Sequence, residues 1–171
     1  VDHLAVRRTD GAQHQVPVAL DGGPATSIGS VAATSDGIVA VVAGWTSEPA
    51  VAGVGSTGVR ILRRPRDLGL AAGWFPQPEA LTFPTSGGEV AYAGVHPPTN
   101  PEHEGPDDEL PPLLVLVHGG PTSSVRTQLQ LAVAYWTSRG FAVADVDYRG
   151  STGYGRPYRH SLRGGWGLLD V

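Results

Sequence analysis

The chain contains no cysteine, no methionine and no lysine in its 171 residues. Without thiols there is neither a disulfide framework nor a thiolate metal site, a pattern mildly more typical of cytoplasmic proteins, and that compartment is the expectation here. Without lysine the phosphate-binding loop Gly-x-x-x-x-Gly-Lys-Ser/Thr is excluded. All 12 basic residues are arginine, which fits a GC-rich coding sequence and carries no function of its own. The missing methionine bears on the start: Val1-Asp2-His3-Leu4 has neither an initiator nor a signal-peptide pattern. It reads as a beginning inside a longer protein. No run of about 20 apolar residues is present, so no membrane partner is expected. A formal charge of −4 leaves no basic surplus for nucleic acid.

What is there changes character along the chain. Residues 1–77 alternate short apolar runs with Asp-Gly, Gly-Gly and Ser-Thr-Gly turn signals, an all-β pattern. Leu4–Arg8 and Gln15–Leu20 flank the turn Thr9-Asp10-Gly11, and Ser27–Ala33 and Ile38–Ala43 flank Ser35-Asp36-Gly37. Val59–Leu62 follows Ser56-Thr57-Gly58, in a layout that repeats the first pair. One unit then spans Thr26–Arg64, about the 40 residues and four strands of a β-propeller blade. A sandwich piece would share the pattern, and the period favours the propeller. Arg63-Arg64-Pro65-Arg66 is too small for a nucleic-acid groove and reads as a solvated turn. Pro65–Pro78 has little periodicity and reads as a linker.

The second part, 78–171, reads as α/β. Ala80–Phe83 and Glu89–Val95 form a hairpin, and the acidic, proline-rich Pro97–Glu109 is an exposed loop in which His103 has no scaffold to make it a metal ligand. No metal site and no cofactor are expected. Leu113–Val117 is a continuous apolar run, the signature of a parallel strand covered on both faces. A helix is expected next, with Thr127 and Gln130 as a capping box and Leu129, Ala132, Val133 and Trp136 on one apolar face. Gly140 stands at its C-terminal cap and Phe141–Val146 is the following strand. Strand, helix and strand of these lengths make a right-handed crossover in a mainly parallel sheet.

Between the strand and the helix lies His118-Gly119-Gly120-Pro121, at the end of a strand where open sheets bind ligands. A dinucleotide fingerprint needs G-x-G-x-x-G. This turn lacks that spacing, and Gly150-x-x-Gly153-x-Gly155 reverses it with no helix evident after it. The remaining use is an oxyanion hole, since α/β-hydrolases take one amide donor from an H-G-G-type loop after this strand.

LVLVHGGPTS, followed by YWTSRGFAVADVDYRGSTGYGRPYRHSLRGGWGLLDV, resembles the prolyl oligopeptidase family of serine peptidases, in particular its dipeptidyl-peptidase and acylaminoacyl-peptidase-like members. The resemblance implies an all-β β-propeller, here its C-terminal blades over 1–77, followed by an α/β-hydrolase domain, here its N-terminal half over 78–171. It implies short peptides as substrates, cleaved through an acyl-enzyme. It also gives the Gly120 N–H the role of one oxyanion donor within the loop His118, Gly119, Gly120 and Pro121. No G-x-S-x-G elbow occurs: Ser151 follows Arg149-Gly150 and Ser56 follows Val54-Gly55. The triad is therefore expected outside these residues, with the chain inactive alone.

His118 reads as turn-stabilising because the fold's triad order is Ser, Asp, His. His160 reads as exposed, Asp145 and Asp147 as strand-end acids, and Asp147 as a partner of the Arg149 loop. Tyr148, Arg149 and Tyr154 are candidates for the site mouth, and Tyr158 lines it or packs beneath. An esterase of the same hydrolase class and a non-catalytic propeller-type binding module are the rival readings.

Overall fold

The computed structural model describes residues 4–7, 13–20, 23–120 and 122–170. The turn Thr9-Asp10-Gly11 and Pro121 lie outside them. Most of the regular secondary structure is β-sheet, with few helices, and the chain divides into two compact units: Val1–Phe75 with Thr127–Leu131, and Pro76–Arg126 with Ala132–Val171.

In the first unit β1 (Leu4–Arg7) pairs with β2 (Gln13–Val16), and β3 (Ala19–Leu20) with β4 (Gly23–Pro24), both antiparallel. The larger sheet is an antiparallel meander of β5 (Ser27–Thr34), β6 (Gly37–Gly44), β7 (Ser47–Gly55) and β8 (Gly58–Arg63) in sequence order. Two residues separate each strand from the next, as hairpin turns allow. The extent and strand count match the unit read from the turn spacing. In β7 the alternate residues Ala50, Ala52 and Val54 are buried, the period of a sheet with one covered face. Ala50 and Ala52 meet Ala40 and Val42 of β6 together with Val18 and Leu20. Glu48 accepts a bidentate pair from Arg66, Nε to Oε2 at 3.0 Å and Nη2 to Oε1 at 2.9 Å, so one arginine of the basic turn is used structurally.

In the second unit β9 (Glu79–Pro84), β10 (Val90–His96), β11 (Leu113–Val117) and β12 (Ala142–Asp147) form one sheet in the order β11-β12-β10-β9. The expected hairpin is present as β9 and β10. Only β11 and β12 run parallel; β12 with β10 and β10 with β9 are antiparallel. The sheet is therefore mixed rather than mainly parallel, because the hairpin supplies two of its four strands.

Leu113–Val117 also departs from expectation. It is the sheet's edge strand, and Leu113, Val115 and Val117 are 57%, 60% and 66% exposed. Among the described residues only β12 pairs with it, so neither of its faces has the cover its composition calls for. The buried strand is β12, which takes a neighbour on each side.

The helix α1 spans only Leu131–Thr137. The expected capping box does not form. Thr127 Oγ1 donates to Thr26 O at 2.8 Å, Thr26 Oγ1 donates back to Thr127 O, and Leu129 N donates to Gly44 O at 2.8 Å. These bonds tie Thr127 and Leu129 to Thr26 and Gly44, and the helix starts only at Leu131. Its buried residues are Val133, Ala134 and Thr137, while Leu131 and Trp136 are exposed. Gly140 follows with φ +86°, the left-handed conformation of a helix stop. Pro97–Glu109 is irregular and largely exposed. A second short helix, α2 (Gly155–His160), opens at the last glycine of the GSTGYG segment, where none was expected.

Two buried positions make the second unit sensitive. Gly150 has φ +96°, and a Cβ there would lie 2.6 Å from Leu162 Cδ2 and 2.7 Å from its Cβ, against a side chain only 1% exposed. Gly150→Ala combines backbone strain with overpacking and is expected to cost about 3 kcal/mol, read as a lowered denaturation midpoint; an unchanged midpoint would contradict this packing. His96 is buried at the end of β10, and desolvation lowers its pKa from 6.5 while nearby Asp145 partly opposes the shift. The unfolded chain therefore binds this proton more readily than the folded one. Stability should fall as pH drops through 6.5 toward the lowered folded value. Urea midpoints at about pH 7.5 and about pH 5.5 should differ more for the natural chain than for His96→Gln. Equal differences would show that His96 does not carry the effect.

Candidate functional site

The parallel register pairs Val117 with Val146, so β11 and β12 finish side by side. Their following turns, His118–Val125 and Asp147–Thr152, are consequently neighbours. The second grips the first at several points. Tyr148 stacks on the His118 ring with centroids 4.5 Å apart and donates its hydroxyl to His118 O at 3.1 Å. Thr152 N donates to Ser123 O at 2.7 Å. Asp147 Oδ1 accepts Val125 N–H at 2.8 Å.

His118, Ser151 and Asp147 come together as residue types that suggest a catalytic triad, but their geometry is different. Ser151 is completely buried, at 0% exposure. Its hydroxyl has one proton, and Tyr148 O at 2.6 Å can only accept it. His118 Nε2, 2.7 Å away, is therefore the donor toward Ser151 Oγ. A triad histidine does the reverse, accepting from serine at one ring nitrogen while the other donates to the acid. Here the same Nε2 also stands 3.6 Å from Asp147 Oδ1, and Nδ1 lies 3.0 Å from Gly119 O. The trio braces a turn and has no base with which to activate Ser151.

Gly120 adopts φ +124°, open to glycine and strained for other residues. Gly119 and Gly120 are exposed, and among the described residues no hydrogen bond uses the Gly120 N–H. The loop thus keeps an exposed glycine with an unbonded amide among the described residues, beside turns bonded at His118 and Val125.

The remaining candidates fall around this turn. Asp147 does not bind the Arg149 side chain; Arg149 Nη2 reaches Ser86 O at 3.3 Å, while the Asp147 carboxylate is taken by shorter contacts to Val125 and Tyr154. Tyr154 OH donates to Asp147 Oδ2 at 2.8 Å and Tyr158 OH to Asp147 O at 2.8 Å. Tyr92 of β10 stacks on Tyr154 at 4.0 Å and meets Tyr158 edge-on at 5.1 Å. Burial, with the Asp147 hydrogen bond adding to it, raises the Tyr154 pKa far above its usual value, and burial raises that of Tyr158 to about 12. Tyr148 is raised by burial, with the Asp170 carboxylate adding to the effect. These hydroxyls stay protonated and act as donors. His160 is exposed and Asp145 is buried. Among the described residues no group of three acids or histidines could hold a metal ion. Nor is any helix among them long and apolar enough to cross a membrane.

Sequence reasoning missed the place of Asp147 at the centre of this cluster and the pairing of Tyr92 with Tyr154. The available signal was the DYRGSTGYG segment itself: an acid at the end of a central strand, followed by two glycine-permitted bends that bring tyrosines back over it.

The turn with the unbonded Gly120 amide follows the end of a parallel strand, the place where open sheets commonly take ligands. Comparison with known proteins makes the class specific. Residues 127–171 match the prolyl oligopeptidase family. The chain is 46% identical over 74 residues to the acylamino-acid-releasing enzyme of Rattus norvegicus, covering 43% of this chain and 10% of that protein. It superposes on the crystal structure of puromycin hydrolase with a TM-score of 0.88 and 38% identity, over 98% of this chain and 25% of the other. A puromycin-hydrolyzing peptidase of Mycobacterium tuberculosis gives 0.86 and 36%, over 98% and 26%. The match to the prolyl oligopeptidase family thus covers the last 45 residues, and the chain spans about a quarter of the length of these solved relatives.

The hydrogen bonding of Ser151 has a direct chemical consequence. A fluorophosphonate probe should leave Ser151 unlabelled in the folded protein, because its oxygen is buried and no base faces it. Stoichiometric labelling there, read by peptide mass spectrometry, would contradict the bonding described.

Proposed function

We propose that this chain supplies the oxyanion-loop part of a serine peptidase of the prolyl oligopeptidase family, which hydrolyses short peptides through an acyl-enzyme. The observation that carries the reading is the Gly120 amide. It lies just past a strand end, on an exposed glycine with φ +124°, in a loop whose flanks are bonded to the neighbouring turn. When a nucleophile attacks a peptide carbonyl, negative charge collects on oxygen. A preorganised N–H stabilises that charge with little reorientation, and one such donor is worth about 10²–10³-fold in kcat.

In this reading residues 1–77 are C-terminal blades of a β-propeller, supported by the four-stranded meander of β5–β8. Residues 78–171 are the N-terminal half of an α/β-hydrolase domain, supported by the parallel β11–β12 pair and α1 between them in sequence. The serine, aspartate and histidine of the triad lie outside these residues, in keeping with the absence of G-x-S-x-G from the sequence. Tyr148, Arg149 and Tyr154 border the site mouth. The relatives' names, which speak of releasing acylamino acids and hydrolysing puromycin, support small amide substrates.

The test uses the full-length protein and a chromogenic acylaminoacyl anilide. Gly120→Ala, which forces a Cβ onto a left-handed backbone, should lower kcat by about 10²-fold with KM little changed. Natural kcat in that variant would remove Gly120 from the mechanism.

A further inference from the structure

The Asp147 carboxylate does more than end a strand. Its side chain is only 8% exposed. Oδ1 accepts Val125 N–H at 2.8 Å and lies 3.6 Å from His118 Nε2, so one oxygen reaches both ends of the loop that carries Gly120. Oδ2 accepts Tyr154 OH at 2.8 Å. The groups around the carboxylate are all donors, and only an acceptor-only side chain satisfies them together. Asp147 is itself held: Tyr158 OH bonds its carbonyl at 2.8 Å, and Tyr92 stacks on Tyr154 at 4.0 Å. The clamp is thus anchored in the sheet rather than in the loop.

We propose that Asp147 is the positioning residue for the oxyanion donor, setting the height and direction of the Gly120 amide by bonding Val125 and standing against His118 with a single carboxylate. This rests on the reading of Gly120 as an oxyanion donor. Asp147 touches neither substrate nor reacting atoms. It acts because a short loop bonded to the carboxylate at its Val125 end, with its His118 end 3.6 Å from the same oxygen and held through Ser151 and Tyr148, has few ways to tilt its central amide. A misplacement of about 1 Å in a catalytic group can cost about 10²-fold in rate.

Asp147→Ala removes the Val125 bond and the charge beside His118. Asp147→Asn is the conservative variant: its amide oxygen still accepts from Val125, while its NH2 faces a tyrosine oxygen that can reverse its role. Tyr154→Phe removes one outer support and leaves the carboxylate, so it keeps the question open should Asp147→Ala fail to fold. Each is made in the full-length protein beside Gly120→Ala. The measurements are kcat, KM, the affinity of a peptide aldehyde, whose adduct with the nucleophile places an oxyanion in the hole, and the affinity of a non-covalent peptide product.

Asp147→Ala should lower kcat by about 10²-fold and weaken the aldehyde in parallel, with KM and product affinity nearly unchanged. Asp147→Asn and Tyr154→Phe should show the same pattern at about tenfold or less. If Gly120→Ala loses aldehyde affinity while the folded Asp147 and Tyr154 variants keep it, the positioning role is wrong and the oxyanion reading stands. If none of the four variants, Gly120→Ala included, affects the aldehyde, the oxyanion reading itself falls, and the positioning role with it. Equal losses of aldehyde and product affinity in the Asp147 and Tyr154 variants would mean general damage to the site and would also overturn the proposal.

Discussion

The parallel pairing of Leu113–Val117 with Ala142–Asp147 is the constraint on which the site depends. Because the strands run the same way and finish together, the turns that leave them must share space. An antiparallel neighbour would have placed these turns at opposite ends of the sheet. Everything at the site follows from that register: Tyr148 over His118, Ser151 under its ring, and the Asp147 carboxylate on Val125.

Polar groups dominate this junction, and they are nearly all satisfied. Ser151 passes its proton to Tyr148 O and receives one from His118. Asp147 accepts from a backbone amide and a tyrosine. Buried networks of this kind gain rigidity when complete and become costly when one member is lost. A cluster of Ser, His and Asp is therefore no guide to catalysis by itself; the direction of each proton decides. Here the directions make a brace, and the Gly120 amide beside it is the group proposed to meet the substrate.

Much of the architecture was legible because the deciding residues are steric. The two-residue turns that set the meander over Ser27–Arg63 were readable at Ser35-Asp36 and Ser56-Thr57, and the helix stop at Gly140 follows from its positive φ. What was not legible depended on partners distant in sequence. Thr127 read as a helix cap, but Thr26 takes its hydroxyl and the helix begins only at Leu131. Leu113–Val117 read as buried, yet an apolar run records what a strand prefers and not what cover the described residues give it. The pairing of Asp147 with Val125 and Tyr154 instead of Arg149 was equally hidden. An acid's neighbours along the chain do not reveal which donors the fold turns toward it.

The central claim is geometric: the loop between His118 and Val125 is held so that the Gly120 N–H meets a developing oxyanion. A crystal structure of the full-length protein with a peptide aldehyde bound as its covalent adduct tests it most directly. The account predicts Gly120 N at about 3 Å from the adduct oxygen, with the His118 and Val125 tethers unchanged. An adduct oxygen bound by other donors, with the Gly120 amide turned away, would contradict it.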